Sequence, residues 1–142
     1  MRAGDIMTRR VVTVGEDATL AHAAHLLGTA PEATLQVVDA AGHLVGILTA
    51  THLLERIRIA LSATDLTAAV PGVVADAMTT PVLAMRAETD IEHVAAALAD
   101  TDTYAVPVVD GFTPIGTITR LELVRALTGA APTATPPPRN PS

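Results

Sequence analysis

The chain has 142 residues, of which 49% are hydrophobic and 17% charged, and a formal net charge of −6. That length suits one compact domain or two tightly joined halves with a real core, and the apolar content excludes a mostly disordered chain. Every cation is an arginine and the arginines are scattered, so this acidic chain repels a phosphate backbone and no general nucleic-acid binding is expected.

The elements follow in order. Val11–Val14 is a short β-branched run and reads as a strand. Residues 18–29 carry Leu20, Ala23, Ala24 and Leu27 at helical spacing, with Pro31 as the stop. Leu35–Asp39 reads as a buried strand, Ala40-Ala41-Gly42 as a turn and Leu44–Thr49 as the returning strand. A second helix is expected over Thr51–Leu61, where Leu53, Leu54, Ile57 and Leu61 form one apolar face. Residues 63–73 form a connector with a Pro71-Gly72 break. Then come Val82–Met85, a helix over Thr89–Asp100 opened by the capping-box form Thr89-Asp90-Ile91-Glu92, strands Tyr104–Asp110 and Pro114–Thr119, and a helix over Arg120–Leu127. The tail 129–142 is rich in Pro, Ala and Thr and is expected to stay disordered.

The two halves spell nearly the same text. Asp5-Ile6-Met7-Thr8 returns as Asp76-Ala77-Met78-Thr79, Val37-Val38-Asp39 as Val108-Val109-Asp110, and Gly46-Ile47-Leu48-Thr49 as Gly116-Thr117-Ile118-Thr119. The spacing holds through the Val-Val-Asp triplets and slips by one residue in the turn that follows, so a unit of about 55 residues is duplicated. Paired copies of one unit tend to leave two equivalent crevices between them.

In order and repetition, Asp-x-Met-Thr, Val-x-Thr-Val, a helix, Val-Val-Asp, then Gly-apolar-apolar-Thr-x-x-acidic-Leu resembles the CBS domain, and two copies in tandem resemble a CBS pair, or Bateman module. The resemblance covers residues 3–128. It implies an α+β fold of two β-α-β-β-α repeats, 3–62 and 74–128, packed with pseudo-twofold symmetry. It also implies an adenosine-containing ligand (AMP, ADP, ATP or S-adenosylmethionine) in clefts between the repeats, and dimerisation.

By the same resemblance, one cleft draws on Thr8, Thr13, Ala33 and Thr34 with Thr119 and Glu122. The other draws on Thr79, Ala84, Tyr104 and Ala105 with Thr49 and His52. Strand-end backbone groups would read the adenine edge, and an aspartate in Thr-x-x-Asp would hold the ribose diol by charge-assisted bonds. That aspartate is absent from both copies. Thr49-Ala50-Thr51-His52 offers an imidazole with one acceptor, and Thr119-Arg120-Leu121-Glu122 offers a longer carboxylate. Thr119-x-x-Glu122 fits a capping box as well as a ribose clamp, and both readings stand. Gln36 departs too, standing where the second repeat has Pro107.

Arg9, Arg10 and Arg120 favour the cleft of Glu122 for a phosphorylated ligand, since Thr80-Pro81 replace the arginine pair in the second copy and Arg120 stands at a helix start. As solvated side chains these arginines would have no such role.

Other chemistry finds no support. With no cysteine there is no disulfide framework, thiol nucleophile or Cys-based zinc site, and His22, His25 and His93 lack partners at familiar metal-ligand spacing. Tyr104 and Phe112 alone give no stacking platform for single strands. No Gly-x-Ser-x-Gly or phosphate-binding Gly-rich loop occurs. Apolar stretches fall well short of the ~20 residues that span a bilayer, and no secretory n-region opens the sequence. The expectation is a cytoplasmic, non-enzymatic regulatory protein, homodimeric and away from membranes. It would have no cofactor beyond a nucleotide ligand, and would signal to an effector protein. A ligand-independent dimer serving protein contacts is the alternative.

Overall fold

The computed structural model describes residues 1–63, 72–80, 83–100 and 105–129. In chain order these form α1 (Ala3–Ile6), β1 (Thr13–Gly15), α2 (Leu20–Leu27), β2 (Thr34–Val38), β3 (Leu44–Thr49), α3 (Ala50–Ala63), β4 (Met85–Arg86), α4 (Ile91–Asp100), β5 (Ala105–Asp110), β6 (Thr113–Thr119) and α5 (Arg120–Thr128). Single 3-10 turns stand at Pro31–Ala33 and Val74–Asp76. The fold is α+β: two three-stranded sheets, β1-β2-β3 and β4-β5-β6, each with a parallel first pair and an antiparallel second pair.

Local chemistry explains the hairpins. In the first, Asp39 Oδ1 accepts from Ala41 N–H (2.9 Å) and His43 N–H (3.0 Å), and Gly42 takes φ +82°. These amide donors, His43 first, hold the exposed Asp39 carboxyl below its ordinary value. The second hairpin turns through Gly111 at φ +66° and is shorter, which is where the repeat slips by one.

Several ends differ from the expectation. The first strand begins at Thr13 rather than Val11, although Val12 O still accepts from Gln36 N–H at 3.1 Å. Helix α2 begins at Leu20 because Thr19 is its cap, its side chain accepting from His22 N–H at 3.1 Å. Gly28 ends that helix, and Pro31 opens the following 3-10 turn instead of stopping it. Helix α3 runs from Ala50 to Ala63, longer at both ends. Helix α4 begins at Ile91, while the Thr89 hydroxyl accepts from Arg86 N–H at 3.2 Å and closes the preceding turn. Strand β4 is Met85–Arg86, and Val82 and Tyr104 lie outside the described residues, as do residues 64–71 of the connector and the tail from residue 130.

The repeats exchange their opening segments. Ala3 and Ile6 are buried in the second repeat's core with Ile91, Val94, Leu98, Val106, Val108, Ile118 and Leu123. Val74 is buried in the first repeat's core with Val14, Leu20, Leu35, Val37, Leu48 and Leu53. Main-chain bonds fix the exchange: Ala3 N–H donates to Thr89 O (2.8 Å) and Gly4 N–H to Ala87 O (2.9 Å), as Val74 N–H does to Ala18 O and Ala75 N–H to Glu16 O (2.9 Å each). Burying one such aliphatic side chain contributes about 1.5–3 kcal/mol. The repeated aspartate closes each segment's turn, Asp5 accepting from Arg2 N–H (2.7 Å) and Asp76 from Val73 N–H (3.0 Å). The repeated Met-Thr then lies over a glycine of the opposite sheet. A Cβ on Gly116 would meet Met7 Sδ at 2.5 Å and Thr8 O at 2.9 Å, and one on Gly46 would meet Met78 Sδ at 2.7 Å and Thr79 O at 3.1 Å.

Candidate functional site

The exchanged segments join each repeat to the edge strand of the other, where the two clefts were expected. Thr8 N–H donates to Thr117 O at 2.8 Å and Thr117 N–H to Thr8 O at 2.9 Å, so Thr8 lies on the free edge of β6. Thr79 N–H donates to Ile47 O at 2.8 Å and Ile47 N–H to Thr79 O at 3.3 Å, so Thr79 lies on the free edge of β3. Each joint therefore pairs a segment of one repeat with a strand of the other.

In the first cleft, β6 lies against the Pro31–Ala33 turn, which brings Ala33 and Thr34 toward the strand ending at Thr119. Glu32 and Ala33 both have positive φ, 51° and 48°. Left-handed backbone at a non-glycine residue costs about 1 kcal/mol or more, and such strain gathers at ligand sites. Thr34 is buried and its hydroxyl donates to Glu32 O at 3.1 Å. Thr13 is exposed at the start of β1, with Gln36 as its ladder partner.

The arginines divide. Arg10 N–H donates to Thr8 Oγ1 at 3.2 Å, and its guanidinium donates to the Thr29 carbonyl at the end of α2. Arg120 donates to Leu98 O at 3.4 Å and lines the groove between α4 and α5 with Ala95, Leu98, Ala99, Leu123 and Val124. Arg9 is exposed. Both Arg10 and Arg120 thus spend guanidinium donors on helix-end carbonyls.

Glu122 caps its own helix. Its Oε1 accepts from Thr119 N–H (2.8 Å) and from the Thr119 hydroxyl (3.1 Å), and Thr119 Oγ1 accepts from Glu122 N–H (3.3 Å). This is a closed capping box. Both carboxylate bonds fall on Oε1, and Oε2 carries none among the described residues.

The second cleft repeats the box with an imidazole. Thr49 N–H donates to His52 Nδ1 at 3.2 Å, and His52 N–H donates to Thr49 Oγ1 at 3.2 Å. An amide N–H can only donate, so Nδ1 presents its lone pair and the neutral ring carries its proton on Nε2. Nε2 is 2.7 Å from Thr79 Oγ1, against 3.4 Å for Nδ1, so Nε2 makes that bond. Desolvation holds the His52 pKa below its ordinary value of 6.5, which favours this neutral form. Both ring nitrogens are thereby engaged.

Of the remaining second-cleft residues, Ala105 is fully buried and Tyr104 lies outside the described residues. Ala84 lines an apolar cavity of about 290 Å³ with Leu44, Val45, Val109, Gly111 and Phe112. The reading of the sequence missed a larger cavity, about 450 Å³, between Arg86, Ala87, Glu88, Val109, Asp110, Gly111 and Ile115. It also did not foresee the bond between Gln36 and Thr117. Gln36 Nε2 donates to Gly116 O (3.1 Å) and to Thr117 Oγ1 (2.8 Å), tying the two sheets together. The available signal was one amide inside the apolar run Leu35–Val38. Among the described residues no three His, Asp or Glu side chains converge as for a metal, and no helix is long and apolar enough to cross a membrane.

Residues 3–59 and 74–129 each match the family model of the CBS domain. Solved structures with the same fold include CBSX2 in complex with AMP, 31% identical at TM-score 0.73 over 91% of this chain and 97% of that one. CBSX2 from Arabidopsis thaliana is 29% identical at TM-score 0.73, over 94% and 98% of the two chains. The cytosolic domain of the Mg2+ channel MgtE in complex with ATP is 28% identical at TM-score 0.70, over 88% of this chain and 48% of that one. No curated protein matches the sequence.

Proposed function

The chain belongs to the CBS domain family, and from that membership we propose that it is a regulatory sensor. It binds an adenosine-containing ligand of the AMP, ADP, ATP or S-adenosylmethionine type between its repeats and passes occupancy to an effector protein. Two similar structures support the ligand class, CBSX2 with AMP and the MgtE cytosolic domain with ATP. The observation that supports the reading is the spare acceptor at Glu122, whose Oε2 carries no bond among the described residues. In the proposed first cleft it would hold a ribose hydroxyl, with Thr8, Thr13, Ala33 and Thr34 on the facing side and the strained Glu32-Ala33 turn beside them. Arg9 and Arg10, both exposed after Thr8, would serve a phosphate, with Arg120 at the start of α5. The second cleft, with Thr79, Ala84, Tyr104, Ala105, Thr49 and His52, is the weaker site, because His52 already spends both nitrogens.

No catalytic step is part of this function, and its setting is the cytoplasm. A ligand shifts a protein between states only by binding them unequally. The Thr8–Thr117 and Thr79–Ile47 pairs are the joints such a ligand would bias. The test is melting temperature against AMP, ADP, ATP and S-adenosylmethionine at millimolar concentration. A ligand at 100 times its Kd adds about 2.7 kcal/mol, a shift of several degrees for a domain of this size. Unmoved melting curves across the panel would remove the sensor reading.

A second reading, a ligand-independent dimer for protein contacts, draws on one feature. Leu54 and Ile59 of α3 and Leu121, Val124 and Leu127 of α5 are exposed. Apolar faces of this kind mark interfaces. Sedimentation at micromolar concentration tests the homodimer common to both readings, and a monomer there contradicts it.

A further inference from the structure

The repeated aspartates end the two Val-Val-Asp strands in different surroundings. In the first hairpin Asp39 Oδ1 accepts from Ala41 N–H at 2.9 Å and His43 N–H at 3.0 Å, so the turn itself satisfies the carboxylate. The second hairpin is one residue shorter and pairs Asp110 directly with Thr113 around Gly111. Asp110 is exposed there, and strand β4 is also one residue shorter than β1. The cavity of about 450 Å³ lies between these two shortened ends. Its size falls within the range of about 300–1,000 Å³ typical of small-molecule sites.

The lining is chemically mixed. Arg86, Glu88 and Asp110 bring one guanidinium and two carboxylates, and among the described residues no hydrogen bond or ion pair engages these side chains. Ala87, Val109 and Ile115 supply an apolar wall. The first repeat has Gly15 and Asp17 where the second has Arg86 and Glu88, so the cation belongs to this copy alone. The cavity also lies at the far end of the sheet from the expected clefts. Ala105 pairs with Thr119 at one end of the β5–β6 ladder and Asp110 with Thr113 at the other, five residues or about 16 Å along the strand.

These groups discriminate among ligands. Two carboxylates against one guanidinium disfavour a phosphate or another simple anion. A metal ion would meet the charge of Arg86, and among the described residues no trio of His, Asp or Glu converges to hold it. A small molecule carrying both charges fits. Its ammonium would donate to Glu88 and Asp110, and its carboxylate would accept from the Arg86 guanidinium, all by charge-assisted bonds. An aliphatic side chain would cover Val109 and Ile115.

We propose that this cavity binds a free aliphatic α-amino acid, as a ligand site separate from the clefts. The inference goes beyond the nucleotide reading and does not rest on it. The turn from Arg86 to Thr89 at its rim also holds the exchanged opening segment, through Gly4 N–H to Ala87 O and Ala3 N–H to Thr89 O. Occupancy of the cavity would thereby brace one joint between the repeats.

Isothermal titration of the full chain with L-leucine, L-leucinamide and 4-methylpentanoate tests this, since the second lacks the carboxylate and the third lacks the ammonium. L-Leucine binds at millimolar concentration, and each truncated analogue binds about tenfold or more weakly. Arg86→Gln lowers L-leucine affinity to the level of leucinamide, whereas Asp110→Asn weakens L-leucine and leucinamide but not 4-methylpentanoate. Both side chains are exposed, so neither substitution disturbs the core. Absence of binding by L-leucine and by the smaller L-alanine overturns the inference. Equal binding of L-leucine and either truncated analogue overturns it too, as does binding that survives both substitutions. Competition between AMP and L-leucine would place the amino acid in a cleft and overturn the separate site. Failure of AMP to bind at all removes the nucleotide reading and leaves this one standing.

Discussion

The N-termini of α3 and α5 meet the same backbone need with different chemistry, and the difference separates the two clefts. Each helix must satisfy the N–H groups of its first turn. At α5 a carboxylate closes the box through one oxygen. At α3 an imidazole closes it through Nδ1 and gives Nε2 to Thr79 of the other repeat. The sheets diverge in the same sense. Gln36 bridges to Thr117 on the first-cleft side, while the matching positions on the other side are Pro107 and Ile47, which cannot make that bond. Duplication kept the main-chain joints, Thr8–Thr117 and Thr79–Ile47, and varied the side chains around them. Glu122 retains a spare acceptor at α5, whereas His52 at α3 has both ring nitrogens engaged within the protein.

The sharpest way to break the comparison is to load the two cores equally. Leu48 and Ile118 are equivalent in the repeat and both fully buried. Leu48→Ala and Ile118→Ala should each cost about 2–5 kcal/mol in urea unfolding. Because the opening segments are exchanged, each should also lower the stability of the whole chain as one transition. Two separated transitions would show that the halves fold independently in spite of the exchange. Next in size are the glycines under the methionines. Gly116→Ala should cost about 1–3 kcal/mol, because its Cβ would meet the Thr8 carbonyl at 2.9 Å as well as Met7. Gly46→Ala should cost less. Its nearest clash is the flexible end of Met78, and the Thr79 carbonyl is 3.1 Å away. Equal losses would mean that the two joints are packed alike.

Much of this was written in the sequence, for identifiable reasons. The duplication, the hairpins and the caps depend on local spacing, and Thr119-x-x-Glu122 forms its box as the spacing implies. The exchange of segments was not legible. Ala3–Ile6 and Val74–Asp76 look alike locally, and both sheets offer a glycine followed by a free strand edge at Gly46-Ile47 and Gly116-Thr117. Nothing in a short amphipathic turn says which of two equivalent edges it joins. The partners of the arginines were not legible either: the carbonyls of Thr29 and Leu98, 19 and 22 positions away, each engage one guanidinium, of Arg10 and Arg120. His52 looked like a failed ribose clamp because its role depends on Thr79, which is distant in sequence.

A smaller effect separates the two functions of Glu122. Glu122→Ala removes the carboxylate half of the box and should lower stability by about 1 kcal/mol. Glu122→Gln keeps a carbonyl acceptor for Thr119 N–H and should lose less. If Oε2 also serves the ligand, Glu122→Gln weakens AMP binding while leaving most of the stability in place. A Gln variant that binds AMP as the wild type does would confine Glu122 to capping.

The smallest expected effect belongs to His52 and is read as a pH dependence. Its folded-state pKa lies below the ordinary 6.5 because burial disfavours the charged ring. The unfolded state therefore takes up the proton first, and stability rises with pH across the interval between the two values. The contribution is complete above the unfolded value and declines as pH falls from there toward the folded one. Protonation would also place an N–H on Nδ1, where it faces the Thr49 N–H instead of accepting from it. Melting temperature measured between about pH 7.5 and 5.5 should fall more steeply for the wild type than for His52→Gln, since the amide does not titrate in this window. Asp39 does not confuse the result, because its carboxyl titrates below its ordinary 3.8, beneath the window. The second repeat has Glu122 at the matching position, so the acid sensitivity should belong to the α3 end alone. Parallel melting curves for wild type and His52→Gln would show that the imidazole contributes nothing there that an amide cannot.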